Sequence, residues 1–282
     1  MEVKSLEDFL PEIKRVKGGK SGTAFYRGHG SDKYESLPKV FRDPGWASDE
    51  DRLLRSLIEM HPEEFSTDHS TLEKLVRAQH FGLPTRLLDV TLNPLVALYF
   101  CCNDNEKLNG EVLAYFVKDD RVKSFDSDTA SVIANTALLK DSEKATINKL
   151  VNDHFTNKNT LPTSKFNERA PLPRLLHFIK NEKPYFEPRI LPRAFRQYIA
   201  TLPKRSNRRM VAQSGAFIAF ALNKKLKRGT SPKVEIERIT IPAQSKADLL
   251  NELDSLNINQ AALFPDIAMA SEYLSHKHSF PF

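Results

Sequence analysis

The sequence predicts an α+β fold, with helices surrounding small mixed or antiparallel β-sheets. Two observations predict it. Short strand-like runs, among them Thr23–Arg27, Gly110–Val117 and Lys233–Ile241, stand among amphipathic helical segments. Hydrophobic residues make up 40% of the 282 and charged residues 28%, a balance that builds an ordinary core and excludes global disorder. The whole chain, 1–282, is expected to be one domain with its core at about 20–275 and a helical, Pro-rich insertion at about 119–205.

Taken in order, residues 5–16 form a helix, because Leu6, Phe9, Leu10 and Ile13 recur near helical spacing. Thr23–Arg27 is a strand that ends in a tight turn at Gly28-His29-Gly30. Asp49–Met60 is a helix with Leu53, Leu54, Leu57 and Ile58 on one face. Ser70–His80 is another, with Ser70 or Thr71 as N-cap and Glu73 able to complete a capping box. Pro84 forces the chain out of helix, and Thr85–Val90 reads as a strand. Pro94 suits the first position of an apolar helix through Cys101, and Gly110–Val117 is a further strand. Residues 119–200 are mostly helical, with Val132–Val151 a long helical stretch. Pro162, Pro171, Pro173, Pro184, Pro188 and Pro192 then suggest an extended connection over the surface. Arg209–Phe220 reads as a strand containing Gly215, Lys224–Arg228 as a solvated basic turn and Lys233–Ile241 as a strand. Helices are expected at Ser245–Leu256 and through Leu274.

Several function classes fall away at this level. The only cysteines, Cys101 and Cys102, are adjacent, which suits neither a structural disulfide nor a metal site. The eight histidines show no metal spacing, so no metal is expected. The first residues lack the apolar segment and cleavage site of a signal peptide, and no stretch is apolar enough to span a membrane, so a cytoplasmic protein is expected. The net charge of +6 permits an anionic partner, either nucleic acid or a small polyanion such as a dinucleotide. There is no P-loop, nucleophile elbow or dinucleotide-binding glycine motif.

Three segments carry groups suited to chemistry. In Tyr26-Arg27-Gly28-His29, an arginine at a strand end presents a planar fork to phosphate or carboxylate, while the glycines let backbone approach a ligand. A plain surface arginine before a turn is the structural alternative. The segment Gln79–Thr91 gathers His80, Thr85, Arg86, Asp89 and Thr91 on a helix–turn–strand–turn path. There, Asp89 is either a site acid or a cap or salt-bridge partner, and His80 either a site base or a satisfied core polar group. In Arg208–Phe217, Gln213 on a strand beside Gly215 is placed to hydrogen-bond a ligand through both amide ends. The expectation is that Arg27, His80, Arg86, Asp89 and Gln213 line one cleft, with Asp89 buried against Arg86 or Arg27.

FYRGH, AQHFGLPTRLLDVTLNPLVALYF and RRMVAQSGAFIAF resemble the signature blocks of the FRG domain, named for a Phe/Tyr-Arg-Gly triplet. The resemblance runs over roughly 20–275, with His29 standing where a Gln often follows the triplet. More remotely, the order of parts is similar to the ADP-ribosyltransferase-like fold, which implies sheets forming a cleft for NAD. That resemblance implies Tyr26, Arg27, Gly28, Thr85, Arg86 and Thr91 as ligand-binding residues. It implies Gln213, His80 and Asp89 as catalytic ones, with Glu235 and Glu237 as rivals for the late acidic position. It implies an NAD-using transferase or glycohydrolase, an effector of bacterial toxin or phage-defence type, with NAD as substrate. A nucleic-acid-binding or cleaving module using His80 and Asp89, and a non-enzymatic ligand-sensing or interaction domain, stand beside it.

Overall fold

The computed structural model describes residues 2–156, 161–204, 208–222 and 233–277. The expected Lys224–Arg228 turn and the last residues of the tail lie outside them. The first helix, α1 (Leu6–Lys17), is capped by Ser5, whose hydroxyl accepts from the Asp8 amide. Strand β1 (Thr23–His29) follows, then α2 (Pro44–Ser48), α3 (Glu50–Met60) and α4 (Thr71–His80). In α4 the expected capping box forms, with Ser70 and Glu73 satisfying each other's backbone amides. Strand β2 (Leu87–Thr91) leads through the Asn93 cap into α5 (Pro94–Cys102), and β3 (Gly110–Val117) returns.

The segment expected as an insertion contributes to the sheet. It holds β4 (Val122–Ser124), α6 (Asp128–Asn135), α7 (Asp141–Thr156), α8 (Thr163–Asn167), α9 (Leu172–Glu182) and β5 (Tyr198–Leu202). The expected Val132–Val151 helix is therefore broken between Asn135 and Asp141. The proline-dense stretch is a surface connection only in part: residues 183–191 run without helix or strand and are mostly exposed, but two helices, α8 and α9, precede them. Pro171 is the N-cap of α9 and Pro173 lies in its first turn, where a missing amide hydrogen costs nothing, and Leu172, Leu175, Leu176 and Ile179 join Phe166 and Phe195 in a buried core. The chain ends with α10 (Arg208–Ala212), β6 (Gly215–Phe220), β7 (Val234–Ile241), α11 (Lys246–Ser255), α12 (Gln260–Leu263) and α13 (Ile267–Lys277). The expected Arg209–Phe220 strand is thus a short helix and a turn before the strand. Ser214 turns the chain at a φ of 47°, and Gly215 begins β6 under the Met210 side chain. No helix among the described residues is long and apolar enough to cross a membrane.

The architecture is α+β: among the described residues seven strands form one sheet in the order β4-β5-β6-β2-β1-β3-β7, antiparallel except for the β4–β5 pair. Strand alternation divides the apolar residues cleanly. Phe25, Leu88, Leu113, Tyr115, Ile218 and Ile236 form one cluster that runs from β5 to β7. The opposite face splits into two. Tyr26, Val112, Ala114 and Ile239 pack on α1, α5 and α11, while Leu87, Phe217 and Ala219 pack on α3, α4 and α6. One continuous cluster opposed by two separate ones is what a sheet curled around the first face produces, so that face is the inner one.

The halves β4-β5-β6-β2 and β1-β3-β7 meet at a weak seam. Strands β1 and β2 share one register pair, Tyr26↔Thr91, whereas β1 and β3 pair along seven positions. The backbone groups of β1 and β2 beyond that pair need other partners, and the site grows from this need.

Candidate functional site

Where the β1–β2 ladder stops, a side chain continues it. The Asp89 carbonyl accepts a hydrogen bond from Arg27 Nη1 at 2.6 Å. Arg27 Nε donates to His29 Nε2 at 3.1 Å. His29 Nδ1 lies 3.0 Å from Glu111 Oε1, and Glu111 Oε2 accepts from Arg238 Nη1 at 3.1 Å. Among the described residues Arg27 Nη2 makes no hydrogen bond to the protein. The Arg27 side chain is 19% exposed, so it borders solvent without being lost in it.

A second chain of bonds orients the Asp89 carboxylate. The Leu87 amide donates to Thr85 Oγ1, and that hydroxyl donates to Gln79 Oε1. The Gln79 amide is thereby fixed with Nε2 toward Asp89 Oδ1, at 2.7 Å. The other oxygen, Oδ2, stands 3.9 Å from Arg27 Nη1. The Asp89 side chain is 66% exposed, so the expectation of a buried acid is corrected. Its strand position points it outward at the seam, where Arg27 and Gln79 reach it and Arg42 and His80 feel its charge.

Other groups gather around Arg27. The Tyr115 hydroxyl is 2.7 Å from Ser36 Oγ, and burial pushes its pKa up to about 12 against the opposing pull of Ser36 and Arg27. Arg42 has its pKa lowered, first by burial and then by its like-charged neighbour Arg27. Tyr34 is exposed and sets its ring edge-on to His29 at 6.0 Å. His29 is buried, and that burial lowers its pKa; Glu111 opposes the shift while Arg27 and Arg42 add to it.

Of the sequence-predicted residues, the structure brings together Arg27, Asp89 and Thr85. His80 lies next to Gln79 at the end of α4, half-buried, with its pKa lowered by burial and then by Arg209. Its ring packs on Phe81, outside the hydrogen-bond chains. Gln213 sits in the turn before β6 and not on a strand. Its Nε2 donates to the Leu263 carbonyl, and its own carbonyl takes the Thr91 hydroxyl at 2.7 Å, so it braces α12 and β2. Thr91 also accepts from the Asn93 amide and is buried, which makes it part of that brace.

Arg86 corrects the expectation most sharply. It is 1% exposed and grips Glu50 with two bonds, Nε to Oε1 at 2.8 Å and Nη2 to Oε2 at 2.5 Å. It also donates to Thr136 and to the carbonyls of Phe220 and Ala221. Tyr26 is likewise buried, on the face opposite Arg27, in the α5 core. Gly28 serves packing and not a ligand or a turn: a Cβ there would lie 1.9 Å from the Ala97 carbonyl oxygen of α5. Glu235 and Glu237 pair with Lys20 on the outer face, away from the Arg27 cluster.

Gln79, Glu111 and Arg238 escaped the reading of the sequence. Glu111 had a signal: it is the one charged residue in an otherwise apolar strand, and alternation sets it on the face of Leu113 and Tyr115. Residues 22–110 match the family model of the FRG domain, and the match contains Arg27, His29, Gln79, Thr85 and Asp89. No curated protein and no solved structure shows a significant match to the chain.

Proposed function

We propose that the chain binds NAD, or a closely related anionic dinucleotide, at the β1–β2 seam and uses it as an ADP-ribosyl donor, either as a transferase or as a glycohydrolase. One observation carries this reading: an arginine with a donor left over stands beside an exposed carboxylate whose orientation is fixed by Gln79. Arg27 would take a pyrophosphate oxygen, with Arg42 adding positive potential. Asp89 would face the ribose as its bond to nicotinamide breaks. Nicotinamide leaves with the bonding electron pair, the oxocarbenium-like ribose is stabilised by the carboxylate, and water or an acceptor nucleophile then adds. Exposed Tyr34 offers a ring face for a base or the nicotinamide. An activity of this kind fits an effector of toxin or phage-defence type.

The test is to measure NAD binding by calorimetry and nicotinamide release by chromatography for the wild type and Arg27→Ala. Short RNA and DNA are titrated in parallel over a salt series. Saturable NAD binding with nicotinamide release, both lost in Arg27→Ala, is the expected result. NAD binding without release would make the site a sensor. Binding of nucleic acid alone, weakening steeply with salt, would overturn the reading.

A further inference from the structure

We propose that His29 is a positioning residue, held as the neutral tautomer with its proton on Nδ1, and that it locks the Arg27 guanidinium in the plane that receives the anionic ligand. This rests on the reading of Arg27 as the anion contact, and its test separates the two.

The tautomer follows from the partners. A guanidinium has donors and no acceptor, so the 3.1 Å contact between Arg27 Nε and His29 Nε2 requires a lone pair on Nε2. The ring proton then sits on Nδ1, where Glu111 Oε1 accepts it at 3.0 Å. Glu111 is itself held from the far side, by Arg238 Nη1 on its other oxygen. The bonds converge on one carboxylate, from Arg27 through the neutral ring on one side and directly from Arg238 on the other. With Nε on His29 and Nη1 on the Asp89 carbonyl, the guanidinium plane is fixed at two points. Either bond alone would let it pivot.

Protonation breaks the lock. A proton on Nε2 would face the Arg27 Nε–H, placing two donors nose to nose and two cations in contact, and Arg27 would have to swing away. The groups that face the ring decide when this happens. They are Arg27 on β1, Glu111 on β3, and Tyr34 and Arg42 from the segment that crosses the inner face. Burial, aided by Arg27 and Arg42, outweighs Glu111, so protonation is postponed to a pH below the usual histidine value of 6.5. The pH dependence has a diagnostic sign. If His29 were only a nearby positive charge, acid would strengthen the binding of an anion. If it positions Arg27, acid weakens it.

Glutamine reproduces the needed pattern without titrating, since its amide offers one acceptor to Arg27 and one donor to Glu111. Leucine fills the space and offers neither. NAD affinity is measured from pH 7.5 to pH 5.5 for wild type, His29→Gln and His29→Leu, with circular dichroism confirming the fold of each. His29→Leu is expected to weaken NAD binding about tenfold or more at pH 7.5, and His29→Gln to restore most of the loss. Wild-type affinity is expected to fall below about pH 6.5, while that of His29→Gln stays level. Leucine binding as well as wild type, or glutamine failing as badly as leucine, would overturn the proposal, as would tighter wild-type binding in acid. Proton-exchange rates of the Arg27 Nε–H, read by NMR without ligand, decide it independently of NAD. Slow exchange in wild type and His29→Gln with fast exchange in His29→Leu is expected, and equal rates in all three would overturn it. Should wild type not bind NAD at all, the functional reading falls and the exchange rates still judge the lock.

Discussion

Arg27 and Arg86 lie in or beside two strands that meet at one seam, and both donate to main-chain carbonyls, yet their surroundings differ in kind. Around Arg86 all three nitrogens have partners inside the protein: Glu50 with both oxygens, Thr136, and two carbonyls at the end of β6. Lys144 of α7 adds a second cation to Glu50 at 2.7 Å, so the cluster ties α3, α7, β2 and β6 together. Around Arg27 the answering is partial, the neighbouring carboxylate is open to water, and like-charged Arg42 stands close. The first arrangement is closed and can only hold the fold. The second keeps a donor and an acid at the surface, the arrangement on which the proposed anion site rests.

The sharpest way to break this contrast is to attack the closed cluster. Glu50→Ala leaves Arg86 and Lys144 buried without their carboxylate, and is expected to cost about 3–5 kcal/mol in urea unfolding. Acid should act in the same direction. Burial alone would raise the Glu50 pKa, but Arg86 and Lys144 overrule it and the net shift is downward. A carboxylate with a depressed folded pKa contributes stability that is fully present above its unfolded value and is lost as pH falls through the folded one. Wild type should therefore lose this contribution only at pH values below the ordinary glutamate range, and Glu50→Ala should show no such loss. A mutant as stable as wild type would make the cluster incidental.

At the open cluster the effect should move from folding to binding. Arg27→Lys keeps the charge and gives up the fork, which holds His29 and the Asp89 carbonyl from two nitrogens and leaves the third to the proposed ligand. NAD binding is expected to weaken by about 1.5–3 kcal/mol, the range of a charge-assisted hydrogen bond, with stability changed by less than about 1 kcal/mol. If calorimetry shows unchanged affinity while urea unfolding shows a large loss, Arg27 belongs with Arg86 as a structural residue.

How much of this was legible follows from the kind of information each feature needs. The α4 capping box, the Asn93-Pro94 start of α5 and the Gly110–Val117 strand rest on neighbours in sequence, and local rules found them. The helices of the proline-dense stretch were misread because proline disfavours a helix interior but suits its first turn, and only the partner core shows where that turn is. In the site, Arg27 and Asp89 were visible as unusual residue types near a strand end. Their roles were not, because Arg86 and Arg27 look alike until Glu50, 36 positions away from Arg86, is placed against one of them. Glu111 was hidden for the same reason: its partners His29 and Arg238 are 82 and 127 positions distant.

The smallest stability effect is expected at Asp89, and it is the most discriminating. Asp89→Asn keeps the shape of the side chain and one carbonyl oxygen, so Gln79 Nε2 still finds its acceptor. The backbone carbonyl that Arg27 holds is untouched by the change. The charge is lost, but with two-thirds of the side chain in solvent and Arg27 Nη1 3.9 Å away, that pair contributes little to folding. The unfolding free energy should thus shift by less than about 0.5 kcal/mol. NAD binding should persist, since the anion is held by arginines, while nicotinamide release should fall by at least about a hundredfold, because an amide cannot balance the positive charge that builds on the ribose. Binding retained with turnover lost would assign Asp89 to the chemistry and Arg27 to recognition. Turnover equal to wild type would remove Asp89 from the mechanism and leave the seam as an anion-binding site alone.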